Sequence, residues 1–204
     1  IAFLFISCSE EKTIYFNGEV KYEYTYESAD IDLDSIISIR PQSSIFKFDV
    51  HNYKSQFINT DQDTLSYYYL SQQNLGIAHN QKVDDWRCEQ YGLQTDSVLT
   101  FQIYDTKERV LGYPCKVLEY KSRYATNKYY VTSAIQISPD TYIRHLAYNW
   151  KFYGKQTTGS LILKIEHQFK DYTMKGIATD LITYDEYKPV HEIRPEVLLS
   201  KCEL

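Results

Sequence analysis

Residues 14–26 alternate more regularly than any other stretch of the chain. Ile14, Phe16, Gly18, Val20, Tyr22, Tyr24 and Tyr26 hold one parity; Tyr15, Asn17, Glu19, Lys21, Glu23 and Thr25 hold the other. A period of two with one dry and one wet side predicts a β-strand, about 40 Å long at roughly 3.4 Å per residue. That is about twice the usual strand, so its neighbours are expected to form a tall sheet. Alternation returns at residue 44, where Phe46, Phe48 and Val50 oppose Ile45, Lys47 and Asp49. Residues 53–60, 64–72, 74–80, the segment around Trp86, and 98–104 continue it with short turns between them, as in an antiparallel meander. Residues 109–130 read as two strands joined at 123–127. Leu161, Leu163, Ile165, His167 and Phe169 form a second clean row. Residues 174–184 and 190–199 are expected to complete the sheet.

Two short helices interrupt this pattern. In residues 28–41, Asp30, Asp32 and Asp34 precede Leu33, Ile36 and Ile37, with Pro41 as a stop, which places acids in a first helical turn. In residues 138–150, Ser138 can cap, Pro139 suits the first helical position, and Tyr142, Ile143, Leu146, Ala147 and Trp150 recur at helical spacing. Gly154 is placed to end that segment. The expected fold is mainly β with two short helices (α+β): a curved antiparallel sheet or half-barrel with helices over its concave face.

Composition agrees with this picture. A chain of 204 residues, 43% hydrophobic, can bury a full core within one β-rich domain. Tyr occurs 21 times against one Met and seven Gly, which favours half-buried pleated surface. The formal net charge is −5 and the basic residues are scattered, so there is no electrostatic footprint for nucleic acid. Of the tyrosines, Tyr67, Tyr68 and Tyr69 suggest a sugar-stacking platform, but successive strand residues face opposite ways, so core and interstrand packing is the better reading.

The N-terminus suggests a cellular address. Residues 1–7, IAFLFIS, read as the tail of a signal-peptide apolar region. A small residue just before Cys8 resembles the lipobox of bacterial lipoproteins, in which the Cys sulfur carries diacylglycerol; Phe5 stands where Leu is usual. Cys8, Ser9, Glu10 and Glu11 also resemble the export signal of surface lipoproteins of the Bacteroidota. The plainer alternative is an ordinary Cys after a signal-peptide remnant. The expected organisation is a signal-peptide remnant over 1–7, a lipid-anchored tether over 8–13 and a single β-rich domain over 14–204. The expected location is the outer membrane or cell surface. Acyl chains at about 0.8 kcal/mol per buried methylene would hold such a domain on a membrane.

With Cys8 lipidated, Cys88, Cys115 and Cys202 allow at most one intramolecular disulfide, in three pairings. Cys88 with Cys115 is favoured as a bridge between neighbouring meander strands, with Cys202 pinning the C-terminus as the alternative. Candidate chemistry is otherwise thin. No CxxC, HExxH, GxSxG or phosphate-loop pattern occurs, and the five histidines are dispersed. A DxDxD calcium loop at Asp30 would need Gly and Glu where Ser35 and Pro41 stand. Asp84 and Asp85 read as a solvated turn. His167, alone on an apolar row, reads as a hydrogen-bonded histidine near the sheet rim, or else as a polar handle inside a ligand cavity. No cofactor, metal or enzymatic activity is expected.

Val110, Leu111, Gly112, Tyr113, Cys115 and Lys116 resemble the "I-L-G-Y-x-C-K" core of the GLPGLI family. Its members are secreted or lipid-anchored bacterial proteins with a fold similar to the Lol lipoprotein carriers (LolA/LolB-like). Tyr130, Val131, Thr132, Ile135 and Ile137 resemble that family's next strand. Gly159, Ser160, Leu161, Ile162, Leu163, Lys164 and Ile165 resemble the end of its name-giving motif, with Thr157, Thr158, Gly159 and Ser160 departing from the first part. The resemblance implies a non-enzymatic carrier whose half-barrel binds a lipid, acyl chain or other hydrophobic ligand. The lining it suggests comprises Phe16, Val20, Tyr22, Tyr24, Leu33, Ile36, Leu146, Trp150, Leu161, Leu163, Ile165 and His167. The alternative is a lipid-anchored interaction module, its core filled by tyrosines, that contacts a protein or glycan through surface aromatics. A monomer is expected in either case.

Overall fold

In the computed structural model, residues 14–61 and 63–202 are described. Cys8 and the expected tether lie outside them. Eleven strands form one antiparallel sheet in two meanders. The first runs β1 (Gly18–Glu27), β2 (Ser43–Phe48), β3 (Tyr53–Ile58), β4 (Thr64–Leu70), β5 (Leu75–Asn80) and β6 (Asp85–Gln90). The second runs β7 (Val98–Val110), β8 (Tyr113–Ser122), β9 (Thr126–Gln136), β10 (Ser160–Gln168) and β11 (Thr173–Thr183). They join where β1 pairs with β11, which leaves β6 and β7 as the two edges.

The short strap over residues 91–97 dictates the curvature. Laid flat, eleven strands at about 4.8 Å spacing would set the edges about 48 Å apart. The chain from Gln90 to Val98 reaches at most about 29 Å. The sheet must therefore curl until its edges approach, giving a half-barrel that does not close. Helix α1 (Leu33–Ile39) and helix α2 (Trp150–Thr157) pack against the sheet's inner side. Helix α3 (Pro195–Ser200) lies on the outer side, where Leu198 packs with Tyr68, Leu70, Leu75 and Ile77.

Several elements differ from the sequence expectation. The first strand starts at Gly18, not Ile14, which is 90% exposed; Phe16 still turns inward and packs on Phe48. The helix expected over residues 138–150 is absent. Two 3-10 turns, Pro139–Tyr142 and Ala147–Asn149, stand there, and the α-helix begins only at Trp150. The reason is tertiary: Leu146 and Ala147 both donate their backbone N–H to the Tyr91 carbonyl of the strap, and Tyr148 and Asn149 take left-handed conformations. Gly154 does not end the segment. It sits inside α2, where a Cβ would come within 3.2 Å of Tyr142, and the helix stops instead at Thr158 and Gly159, both at positive φ.

Residues 190–199 form no strand. Pro195 occupies the first turn of a helix followed by Glu196, a start signal that outweighs the local alternation. Cys88 bonds to Cys202, not to Cys115. Cys88 and Cys115 belong to β6 and β8, near opposite edges of the sheet, whereas α3 brings Cys202 over β6; Cys115 remains a buried free thiol. The C-terminal segment covers the outer face through polar contacts as well. Buried Lys54 pairs with Glu192 at 3.5 Å and lies over the Tyr68 ring, and buried Asp49 accepts from the Val190 N–H.

Candidate ligand cavity

The concave side encloses a cavity of about 530 Å³, within the roughly 300–1,000 Å³ of small-molecule sites. It is built from strand parity. Tyr22 and Tyr24 of β1, Phe46 and Phe48 of β2, Tyr53, Ser55 and Phe57 of β3, and Leu65 and Tyr67 of β4 all point into it. Leu161, Ile162, Ile165 and His167 of β10 and Tyr129 of β9 form the opposite wall. The inner end is aromatic: the buried Tyr142 stacks on the partly buried Trp150 with centroids 5.0 Å apart, and the buried Tyr53 and Tyr153 lie against them. At the outer end stand Ile39, Arg40, Pro41, Asn59 and Met174, of which Ile39 is 71% exposed.

Helix α1 positions that outer end. The Asp32 carboxylate accepts from the Ser35 N–H at 3.1 Å, capping the helix and directing Ile36 inward. Beyond the helix, the Gln42 side chain donates to the carbonyls of Ile37 and Arg40, fixing the turn that carries Arg40 and Pro41.

The walls are polar in composition but largely apolar in what they present. Tyr22 donates to the Ile162 carbonyl at 2.6 Å, Tyr24 shares a 2.6 Å hydrogen bond with Ser44, and Tyr153 donates to the Ser160 carbonyl. With the hydroxyls engaged, ring faces meet the cavity. Burial pushes Tyr24 up to about 12 and Tyr22, Tyr53 and Tyr142 well above the usual phenol value, so these groups are neutral. His167 exposes part of its ring to the cavity, and its Nδ1 is paired with Asn127. Burial lowers its imidazole to about 4, leaving it neutral at pH 7. No carboxylate lines the cavity among the described residues, and Arg40 is its one permanently charged group.

Of the residues expected to line a cavity, Tyr22, Tyr24, Trp150, Leu161, Ile165 and His167 do so. Phe16, Val20, Ile36 and Leu163 are buried in the packing around it. Leu33 is 40% exposed because Ile36 takes the inward place on α1, and Leu146 is held at the strap. The β3 and β4 contributors went unnamed at the sequence level, although the parity of Tyr53, Ser55 and Phe57 was available to find them. Arg40 carries no sequence signal. Among the described residues no group of three or more His, Cys, Asp or Glu is placed to hold a metal ion, and no helix is long and apolar enough to cross a membrane.

The geometry defines an open antiparallel half-barrel around an aromatic cavity. No family model matches the chain, so the GLPGLI resemblance rests on the quoted residues alone. No curated protein matches it either. One solved structure with a likeness is the Mycobacterium tuberculosis lipoprotein LppX, at 8% identity over 86% of this chain and 90% of that one, with a TM-score of 0.36. A likeness of that size carries no argument about function.

Proposed function

We propose that this chain is a non-enzymatic lipoprotein that holds a hydrophobic ligand, such as an acyl chain, inside the half-barrel. The observation that carries the reading is the 530 Å³ cavity itself, in a core otherwise packed with aromatic rings. Affinity would come from apolar area removed from water, at roughly 25 cal/mol per Å² before the cost of immobilising the ligand. Cys8 would anchor the domain to the outer membrane or cell surface through its lipid, with 8–13 as the tether, and the protein would act as a monomer.

Native mass spectrometry of the purified chain after exposure to a bacterial membrane lipid extract tests this. The expected result is a stoichiometric adduct that an added alkyl ligand displaces. Absence of any adduct on folded protein would remove the carrier reading.

A second reading has one observation in its favour. Leu99, Phe101 and Ile103 of edge strand β7 are 62%, 51% and 44% exposed, an apolar row suited to an anchored module that contacts a partner protein or glycan. In that case the adduct would be absent and β7 substitutions would abolish partner capture.

A further inference from the structure

We propose that the cavity selects a single-chain amphiphile with an anionic head, whose tail lies against the aromatic walls and whose head meets Arg40 at the outer end. This deepens the hydrophobic-ligand reading and rests on it. The charge distribution carries the inference: the lining contains one guanidinium, no carboxylate and a neutral histidine. A wall meant only for hydrocarbon needs no cation, and a cationic head would find no counter-charge.

Arg40 is free to serve. It forms no ion pair among the described residues and rests 5.4 Å above the Tyr172 ring, a contact that leaves guanidinium N–H groups available. Its backbone is fixed by the Gln42 side chain, so the group is held at the rim. Across the same rim, the Thr60 hydroxyl donates to the Ile37 carbonyl, which ties the end of α1 to the chain just after β3. That brings Asn59 beside the opening, and its side-chain amide makes no hydrogen bond among the described residues. A guanidinium and a free amide at one opening suit a carboxylate or a phosphate oxygen cluster. Ile39 and Arg40 are exposed whereas Tyr142 and Tyr153 of the same lining are fully buried, so a ligand entering tail first past Arg40 leaves its head there.

Calorimetric titration at pH 8 with four chain-matched ligands below their micelle concentrations tests the proposal: dodecanoate, dodecyl phosphate, dodecanol and dodecyltrimethylammonium. At least one anionic ligand should bind roughly tenfold tighter than dodecanol, about the effect of one charge-assisted hydrogen bond. Whichever of dodecanoate and dodecyl phosphate binds more tightly identifies the head as carboxylate or phosphate. The variant Arg40→Gln should erase that preference, so that the anionic ligands bind it no more tightly than dodecanol binds the same variant, while Arg40→Lys should keep part of it. Equal binding of anionic and neutral ligands by the wild type, or a preference that survives Arg40→Gln, would overturn the proposal and leave the cavity reading intact. Binding of none of the four by folded protein would overturn both.

Discussion

The Tyr53 hydroxyl lies 2.8 Å from Nε2 of His145, and the two rings stack with 9° between their planes. His145 is wholly buried among Tyr69, Tyr91 and Trp150, and its Nδ1 has no hydrogen-bond partner among the described residues. Burial holds its imidazole down at about 3, against 6.5 when unfolded. Between those values the unfolded chain binds more protons than the folded one. Stability is therefore full above pH 6.5 and falls as the pH drops towards 3, by a few kcal/mol at about 1.4 kcal/mol per pH unit. His167 adds to the loss in the same direction. Urea midpoints measured from pH 7 to pH 4 should decline, and His145→Gln should make the decline shallower. An unchanged slope would dismiss His145 as its source.

The Cys88–Cys202 bond closes a sequence separation of 114 residues. Cross-links of such length contribute about 2–5 kcal/mol, chiefly by restricting the unfolded chain. The double variant Cys88→Ser/Cys202→Ser should melt at lower temperature and be cleaved by a glutamate-specific endopeptidase after Glu196, since α3 is then held by noncovalent contacts alone. The buried Cys115 should resist maleimide in the folded protein and react after denaturation.

Leu163 is completely buried on β10. Leu163→Ala should cost about 2–5 kcal/mol, and Leu163→Asp should prevent folding by enclosing an unpaired carboxylate. Unaltered melting of the Asp variant would show that this side chain is not in the core.

Ser55 is a small side chain at the cavity wall on β3, opposite Phe46 on β2 and Tyr67 on β4. Ser55→Phe should fill part of the space and lower ligand occupancy in the native mass spectrum, with melting held or raised. Undiminished occupancy would place the ligand elsewhere.

Gly76 lies directly beneath Tyr91, whose ring a Cβ at that position would overlap at 2.0 Å. Gly76→Val should displace Tyr91 and weaken the strap, whose carbonyl receives the N–H groups of Leu146 and Ala147. Faster amide exchange at Leu146 and Ala147 is the expected readout, with a stability loss of about 1–3 kcal/mol.

Most of the sheet was legible because strand parity is local. The row from Val20 to Tyr26 and the row from Leu161 to His167 both announce a dry side, and α1 announces itself by its leading acids. What stayed hidden depends on partners distant in sequence. The break at Tyr148 and Asn149 follows from hydrogen bonds to Tyr91, more than fifty residues earlier. The partner of Cys88 is set by where α3 docks, and α3 was hidden by an alternation that Pro195 overrides. Within the cavity, aromatic positions could be read from parity. The placement of Arg40 could not, because it depends on how a helix end meets the far ends of β3 and the β10–β11 hairpin.

The unjoined edges at β6 and β7 bear on what can be accommodated. In a closed barrel, strand number and stagger together set the diameter, and widening it means breaking ladder hydrogen bonds. Here the circumference is spanned at one place by seven residues of strap, so a slight relaxation of the sheet's coil changes its girth with every ladder intact. The container is adjustable in width but bounded in length, with tyrosines and a tryptophan as a fixed floor. On the proposed reading, such a vessel would discriminate by how long its contents are and by what sits at the brim, and would tolerate differences in how thick they are.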